Sequence, residues 1–238
     1  MKTLQPFVAN GYSWRRSHDG MNVSIVKDPR NTMRSSDDGR DIEALIATLQ
    51  VVTANSFGIP LAERSADGVR RHVVDVHGLA FLHDEDSVLG FASALLFPED
   101  DIFYLHGVAI DASSKRKGGA RTLVRSLVDT MPCGRMAFTT QNPAMYCFLK
   151  SLYWSVYPSV DAREVPESVR DVGVRLTKER TGALDPRTFV VENLYGKCLY
   201  ENVPESTEPQ VNRWFRESLA IENGVTRNAF LFVAEHAR

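Results

Sequence analysis

The chain has 238 residues, 43% of them apolar, and a formal net charge of −2. That is ample material for a buried core, at a length that suits one domain or one domain with an insertion. The near-neutral balance argues against a broad basic footprint for nucleic acid. Three cysteines, Cys133, Cys147 and Cys198, stand far apart and match no paired metal spacing, so no metal is expected and free thiols in a reducing compartment are. No apolar stretch reaches the length of a membrane span, and the N-terminus lacks a continuous apolar signal-peptide core. A cytoplasmic protein with no membrane attachment is the expectation.

In chain order, residues 1–21 read as an N-terminal extension whose packing candidates are Phe7, Tyr12 and Trp14. Asn22 to Val26 reads as a first strand and Pro29 to Arg40 as a polar loop. A helix follows, with Asp41 as its expected cap, Ile42, Leu45, Ile46, Leu49 and Val52 as its apolar stripe, and Gly58 with Pro60 as its stop. Glu63 to Arg71 is polar, either loop or short helix. Val76 to Leu82 and Val88 to Phe97 form a hairpin across His83 to Asp86, and a third strand, Ile102 to Ile110, follows the turn at Pro98 to Asp101. Next come a basic turn, a helix with Leu123, Val124, Leu127, Val128 and Met131 on one face, a strand from Met136 to Thr139, and a helix over Asn142 to Trp154. A meander of strands followed by strand, helix, strand and helix predicts an α/β (α+β) chain with a mixed sheet flanked by helices. Further on, Pro166 opens a helix with Val169, Val172 and Leu176, Phe189 to Val191 suits a strand, and a helix runs over about Thr207 to Ala220 with Val211, Trp214, Phe215 and Leu219 on one face. Asn223-Gly224 then turns the chain into a closing strand at about 229–234.

The richest stretch is Val108 to Val124, VAIDASSKRKGGARTLV, where an apolar strand ends in a basic, glycine-rich turn that opens a helix. Gly118, Gly119 and Ala120 remove side-chain bulk where backbone must approach a ligand. They also expose N–H groups at a helix start, where the helix dipole favours anions. Lys115, Arg116, Lys117 and Arg121 add positive charge around that mouth. An ordinary strand-turn-helix with a solvated basic turn accounts for the same residues until the context is considered.

The run resembles the acetyl-CoA-binding motif of the GCN5-related N-acetyltransferase (GNAT) superfamily. An apolar-Ala-apolar triplet, here Val108, Ala109 and Ile110, precedes the pyrophosphate turn Lys115, Arg116, Lys117, Gly118, Gly119 and Ala120. Lys115 departs from the Arg or Gln usual in the family, a small departure because backbone N–H groups do most of the binding there. A second block, NPAMYCFLKSLYW from Asn142 to Trp154, is similar to the family's Asn-Pro helix. The resemblance covers roughly Asp75 to Ser159. It implies the GNAT fold, a mixed and mostly antiparallel central sheet flanked by helices with a C-terminal elaboration. The implied domain is 22–238, with a core at 75–159, an insertion at 160–222 and a closing strand. The insertion either covers the acceptor side or serves structure or a homodimer contact.

Strand alternation puts Tyr104, His106 and Val108 on one face and Phe103, Leu105 and Gly107 on the other. His106 sits at the offset where arylalkylamine-type members carry a histidine, and Tyr104 where others carry a glutamate. Acetyl transfer needs a neutral amine, and an imidazole near its ordinary pKa of about 6.5 can take that proton. A structural role for a lone strand histidine weighs equally. The other histidines, His18, His72, His77, His83 and His236, have no comparable placement. Leu149 stands where the family often has a tyrosine that protonates the leaving sulfur. Tyr146 and Tyr153 share its expected helix face and are supporting candidates, set against ordinary aromatic packing. Asn142 either binds the pantetheine or caps the helix after it.

The resemblance implies an acyltransferase, with acetyl-CoA or another acyl-CoA as donor and an amine as acceptor attacking directly in a ternary complex. A small-molecule amine is the first expectation, a protein amine the next and nucleic acid the weakest. The loss of the family tyrosine also fits a module that binds acyl-CoA without transferring the acyl group.

Overall fold

The computed structural model describes residues 14–16, 21–34, 39–85, 87–115, 118–152, 154–161, 163–178 and 182–236. Of the residues singled out above, Phe7, Tyr12, His18, Asp86, Arg116, Lys117 and Tyr153 lie outside them. The chain divides into two compact units, Met1–Phe97 with Phe103–Cys133, and Pro98–Ile102 with Gly134–Arg238. Both are mixed α/β, and all the strand pairs whose register is described here are antiparallel.

The first unit holds β1 (Trp14–Arg16), β2 (Asn22–Lys27), α1 (Pro29–Arg34), α2 (Gly39–Phe57), α3 (Ala66–Val73), β3 (Gly78–His83), β4 (Val88–Phe97), β5 (Ile102–Ile110) and α4 (Gly119–Thr130). Its strands lie in sequence order, β1 to β5. Registers run from Asn22↔His83 to Lys27↔Gly78 and from Gly78↔Ala94 to His83↔Val88, with an irregularity between Leu82 and His83. Every residue of β3 is buried because helices cover both of its faces. Leu79 and Phe81 pack in a cluster with Leu45, Ile46 and Leu49 of α2 and Val69 and Val73 of α3. The alternate residues meet α4. A Cβ at Gly78 would lie 2.0 Å from Met131 Cε, and one at Gly119 would lie 2.6 Å from Leu82 Cδ2.

Two boundaries differ from expectation. The polar run Pro29 to Arg40 is not a loop throughout: Asp28, at φ +48, ends β2, and its carbonyl accepts from Asn31 and Thr32 N–H at 3.1 Å each, opening α1. Helix α2 begins at Gly39, so Asp41 lies inside its first turn rather than before it. The helix option holds for part of Glu63 to Arg71, because Ser65 caps α3 by accepting from Gly68 N–H at 3.3 Å.

The second unit holds β6 (Arg135–Thr140), α5 (Pro143–Lys150), β7 (Trp154–Tyr157), α6 (Glu167–Thr177), β8 (Val190–Val191), α7 (Pro209–Ser218) and β9 (Ala229–His236). Strand β9 pairs with β6 from Arg135↔Glu235 to Thr140↔Phe230, with β7 from Trp154↔His236 to Tyr157↔Val233, and with β8 at Val190↔Phe230. The helix expected to reach Trp154 stops at Lys150, where Ser151 N–H and Oγ turn back on Cys147 and Phe148 carbonyls and the chain restarts as β7. The strand expected at Phe189 shortens to Val190–Val191 because Phe189 takes φ +60. Residues 158–228, between the partners β7 and β9, carry α6, β8 and α7. Helix α7 buries Val211 and Phe215, and its Trp214 and Phe215 rings lie 4.5 and 4.9 Å from Phe230. Asn223 and Gly224, both at positive φ, make the expected turn into β9.

Candidate functional site

Three devices hold the mouth of α4. Gly118 is its N-cap at φ +76, a left-handed conformation that any side chain would strain. Thr122 N–H donates to Gly118 C=O at 3.0 Å, so the N–H groups of Gly119 and Ala120 precede the helical ladder. Gly119 is buried against Leu82, which draws the first turn onto the sheet. Leu123, Val124 and Leu127 are buried, as their spacing predicts, and Arg121 and Arg125 are exposed.

The approach to this mouth is clamped by the last turn of α2. Asn55 Nδ2 donates to Asp111 Oδ2 at 2.8 Å, Ile110 N–H donates to Ser56 Oγ at 3.2 Å, and Lys115 Nζ donates to Ser56 C=O at 2.7 Å. Asp111 also accepts from Ser113 N–H and Oγ, at 3.0 and 2.7 Å. Partial burial pushes its carboxyl up, but the bonds from Asn55 and Ser113, with Lys115 nearby, outweigh that and hold it below its ordinary value. Lys115 therefore closes a helix C-terminus, where a cation is favoured. Asn55 and Ser56 escape a reading of the sequence because they lie more than fifty positions from their partners, and only their polarity beside Gly58 marks them.

Strand β5 is buried from Ile102 to Leu105 and again at Ala109 and Ile110, but it opens at His106, Gly107 and Val108. Tyr104, 1% exposed, packs at 6.4 Å from the His106 ring and 6.2 Å from Phe97. His72, set aside on sequence, comes in from α3 with its ring centroid 4.1 Å from that of His106 and an interplanar angle of 31°. Two other histidines are used structurally: His83 is buried on Ser24 Oγ at 2.9 Å, and His77 Nδ1 accepts from Leu96 N–H at 3.1 Å.

The block after β6 is closed. Asn142 Oδ1 accepts from Ala144 N–H at 2.9 Å, making it the N-cap of α5, and its side chain also bonds to Tyr200. Desolvation pushes the Tyr200 hydroxyl up to about 12, against that bond. Leu149 is fully buried. Tyr146 is 1% exposed, its ring centroid lies 5.2 Å from both Trp214 and Phe232, and its hydroxyl accepts from Val160 N–H at 3.1 Å. Its phenol thus bonds the chain after β7, and its ring packs among aromatic neighbours. Cys147 is half-buried, and burial raises its thiol. Among the described residues no group of three or more His, Cys, Asp or Glu suits a metal ion, and no helix is long and apolar enough to cross a membrane.

A search of the curated proteins found no match. Solved structures of similar chain path include the ribosomal-protein-S18-alanine N-acetyltransferase from Escherichia coli. It is 12% identical with a TM-score of 0.48, over 91% of this chain and 96% of that one. An aminoglycoside 6'-acetyltransferase type Ii gives 12% identity and a TM-score of 0.47, over 90% and 97%. A GNAT family acetyltransferase from Elizabethkingia anophelis, solved with acetyl-CoA bound, gives 8% and 0.47, over 91% and 99%. The model of the acetyltransferase (GNAT) family matches residues 52–152, a span that contains the clamp, the β5 opening and the glycine turn. Over those residues the chain is similar to the GNAT acetyltransferase family.

Proposed function

We propose that the protein is an N-acetyltransferase that moves an acetyl group from acetyl-CoA, or a related acyl group from its thioester, to an amine in a ternary complex. The observation that carries this is the opening of β5 at His106 to Val108, which leaves a partly exposed imidazole in a strand buried on either side of it and leads into a glycine-capped helix mouth.

The backbone N–H groups of Gly119 and Ala120 hold the donor's pyrophosphate, with Arg121 adding charge beside them and Arg116 and Lys117 preceding them in the chain. Lys115 supports the turn from behind, through Ser56. Val108 to Ile110 align the pantetheine arm as an added strand would be aligned. With Ile110 N–H already donated to Ser56, Val108 is the residue left to make that pairing. His106 accepts a proton from the acceptor amine as the C–N bond forms and the C–S bond breaks. The sulfur departs as a thiolate and takes its proton from water, a workable route because thiols ionise near pH 8.5. Tyr104 supports the ring of His106 by packing. Asn142 and Tyr146 act as cap and core, and Tyr153 is given no part. A small-molecule amine is the favoured acceptor and a protein amine the next. Residues 160–222 are an elaboration of the domain.

The test is thermal unfolding of the whole chain with and without acetyl-CoA, followed by thiol release across a panel of amines. At about 100 times Kd, the donor is expected to add about 2.7 kcal/mol, a midpoint rise of about 5 to 10 °C. No rise with any acyl-CoA would overturn the donor site. A rise with no thiol release on any amine would leave the non-catalytic acyl-CoA module as the correct assignment.

A further inference from the structure

We infer that His72 is a positioning residue for His106, its imidazole holding the ring of His106 in place and sharing the site's proton with it. This rests on the reading of His106 as the base.

The His72 ring, 4.1 Å from that of His106, and the Tyr104 ring, 6.4 Å from it, both neighbour the His106 imidazole. Gly107 leaves room for that arrangement: a Cβ there would lie 3.0 Å from His72 Nδ1 and 3.5 Å from its Cε1. One imidazole of α3 thus meets two successive residues of β5, at the place where the strand opens.

Two imidazoles in van der Waals contact cannot both charge without repulsion, so the pair binds its first proton more readily than its second and titrates in two steps. The elements packed around the pair carry charges of both signs. Helix α3 carries Asp67, Arg70 and Arg71, and Arg70 is paired with Glu43 of α2, whose first turn also holds Arg40 and Asp41. Strand β4 has no charged residue and presents the buried Ser93 Oγ, 3.5 Å from the same Cβ position at Gly107, and β5 presents Tyr104. When the first proton sits on His72, His106 stays neutral, and so able to accept from the amine, to lower pH than a lone imidazole does.

The test uses the full chain with His72→Phe, which keeps a flat ring and removes the charge, His72→Ala, which removes the ring, and Gly107→Ala, which crowds it. Ring-proton NMR titration of the wild type is expected to show coupled, two-step curves for the two imidazoles, and His72→Phe is expected to collapse the His106 curve to one step. In kinetics, the acid limb of kcat/KM is expected to move up by about one pH unit in His72→Phe. In His72→Ala and Gly107→Ala, kcat is expected to fall about tenfold while KM for the donor is unchanged. Single-step, independent titration of both rings in the wild type, or an unmoved acid limb in His72→Phe, would overturn the pairing. Failure of the base assignment is read separately: His106→Ala with full activity removes it, whereas the coupled titration is observable whether or not His106 takes part in catalysis.

Discussion

The glycine turn at 115–120 and the block at 142–154 carry the two halves of one sequence resemblance, yet they fold into opposite kinds of place. At the turn, the motif rests on backbone: Gly118 is a left-handed cap, and the first N–H groups of α4 precede its hydrogen-bonded ladder. In the block, the aligned side chains are taken up by the fold. Asn142 caps α5, Tyr146 is buried and hydrogen-bonded to Val160, and Leu149 is inside the core. A motif built on backbone donors survives changes of side chain, because its chemistry needs only conformation. A motif built on side chains keeps its chemistry only if each one stays out of the core.

Sharp tests of that contrast separate chemistry from stability. The largest effect is expected for His106→Ala, with turnover falling about 100-fold or more while donor affinity, read by thermal shift, is unchanged. Leu149→Ala is expected to lose about 2 to 5 kcal/mol of stability in denaturant titration with no change in donor affinity, as a cavity in a packed core demands. A selective loss of donor binding there would break the contrast. Gly118→Val is expected to do the reverse, weakening donor binding by strain at the cap; retained affinity would count against the turn. Tyr146→Phe is expected to cost about 1 kcal/mol, the hydrogen bond from Val160, and to leave the pH profile of turnover unchanged. The smallest effect is at Asp111. Its carboxyl is depressed in the folded state, so the stability it contributes is present above the unfolded value of about 3.9 and is lost as pH falls through the folded value. Asp111→Asn is therefore expected to lower the melting temperature slightly at neutral pH, with the difference vanishing in acid. This group is only partly buried, so the effect is small.

Much of the N-terminal unit can be read directly. The apolar stripe of α2, the β3–β4 hairpin, β5 from Ile102 to Ile110 and the buried face of α4 all follow from short-range periodicity, because each element shows its neighbours one face and the pattern repeats every two or 3.6 residues. The glycine turn is legible for the same reason: left-handed backbone, close helix–strand approach and exposed N–H groups are local properties of a few consecutive residues. Helix α1 is harder, because Asp28 opens it through its carbonyl and backbone conformation rather than through composition.

What stayed hidden depends on contacts between residues distant in sequence. His72 looks like any polar residue of an amphipathic helix until α3 packs on the sheet and brings it to His106, and Asn55 and Ser56 look like a fraying helix end until they meet Asp111 and Ile110. Tyr146 stands on the expected helix face for chemistry, but its ring packs against Trp214 of α7 and Phe232 of β9. Local spacing is enough to specify backbone conformation and which face of an element is apolar. Whether a given polar side chain is left at an opening or sealed inside is set by the long-range packing that surrounds it, and that is a property of the folded chain alone.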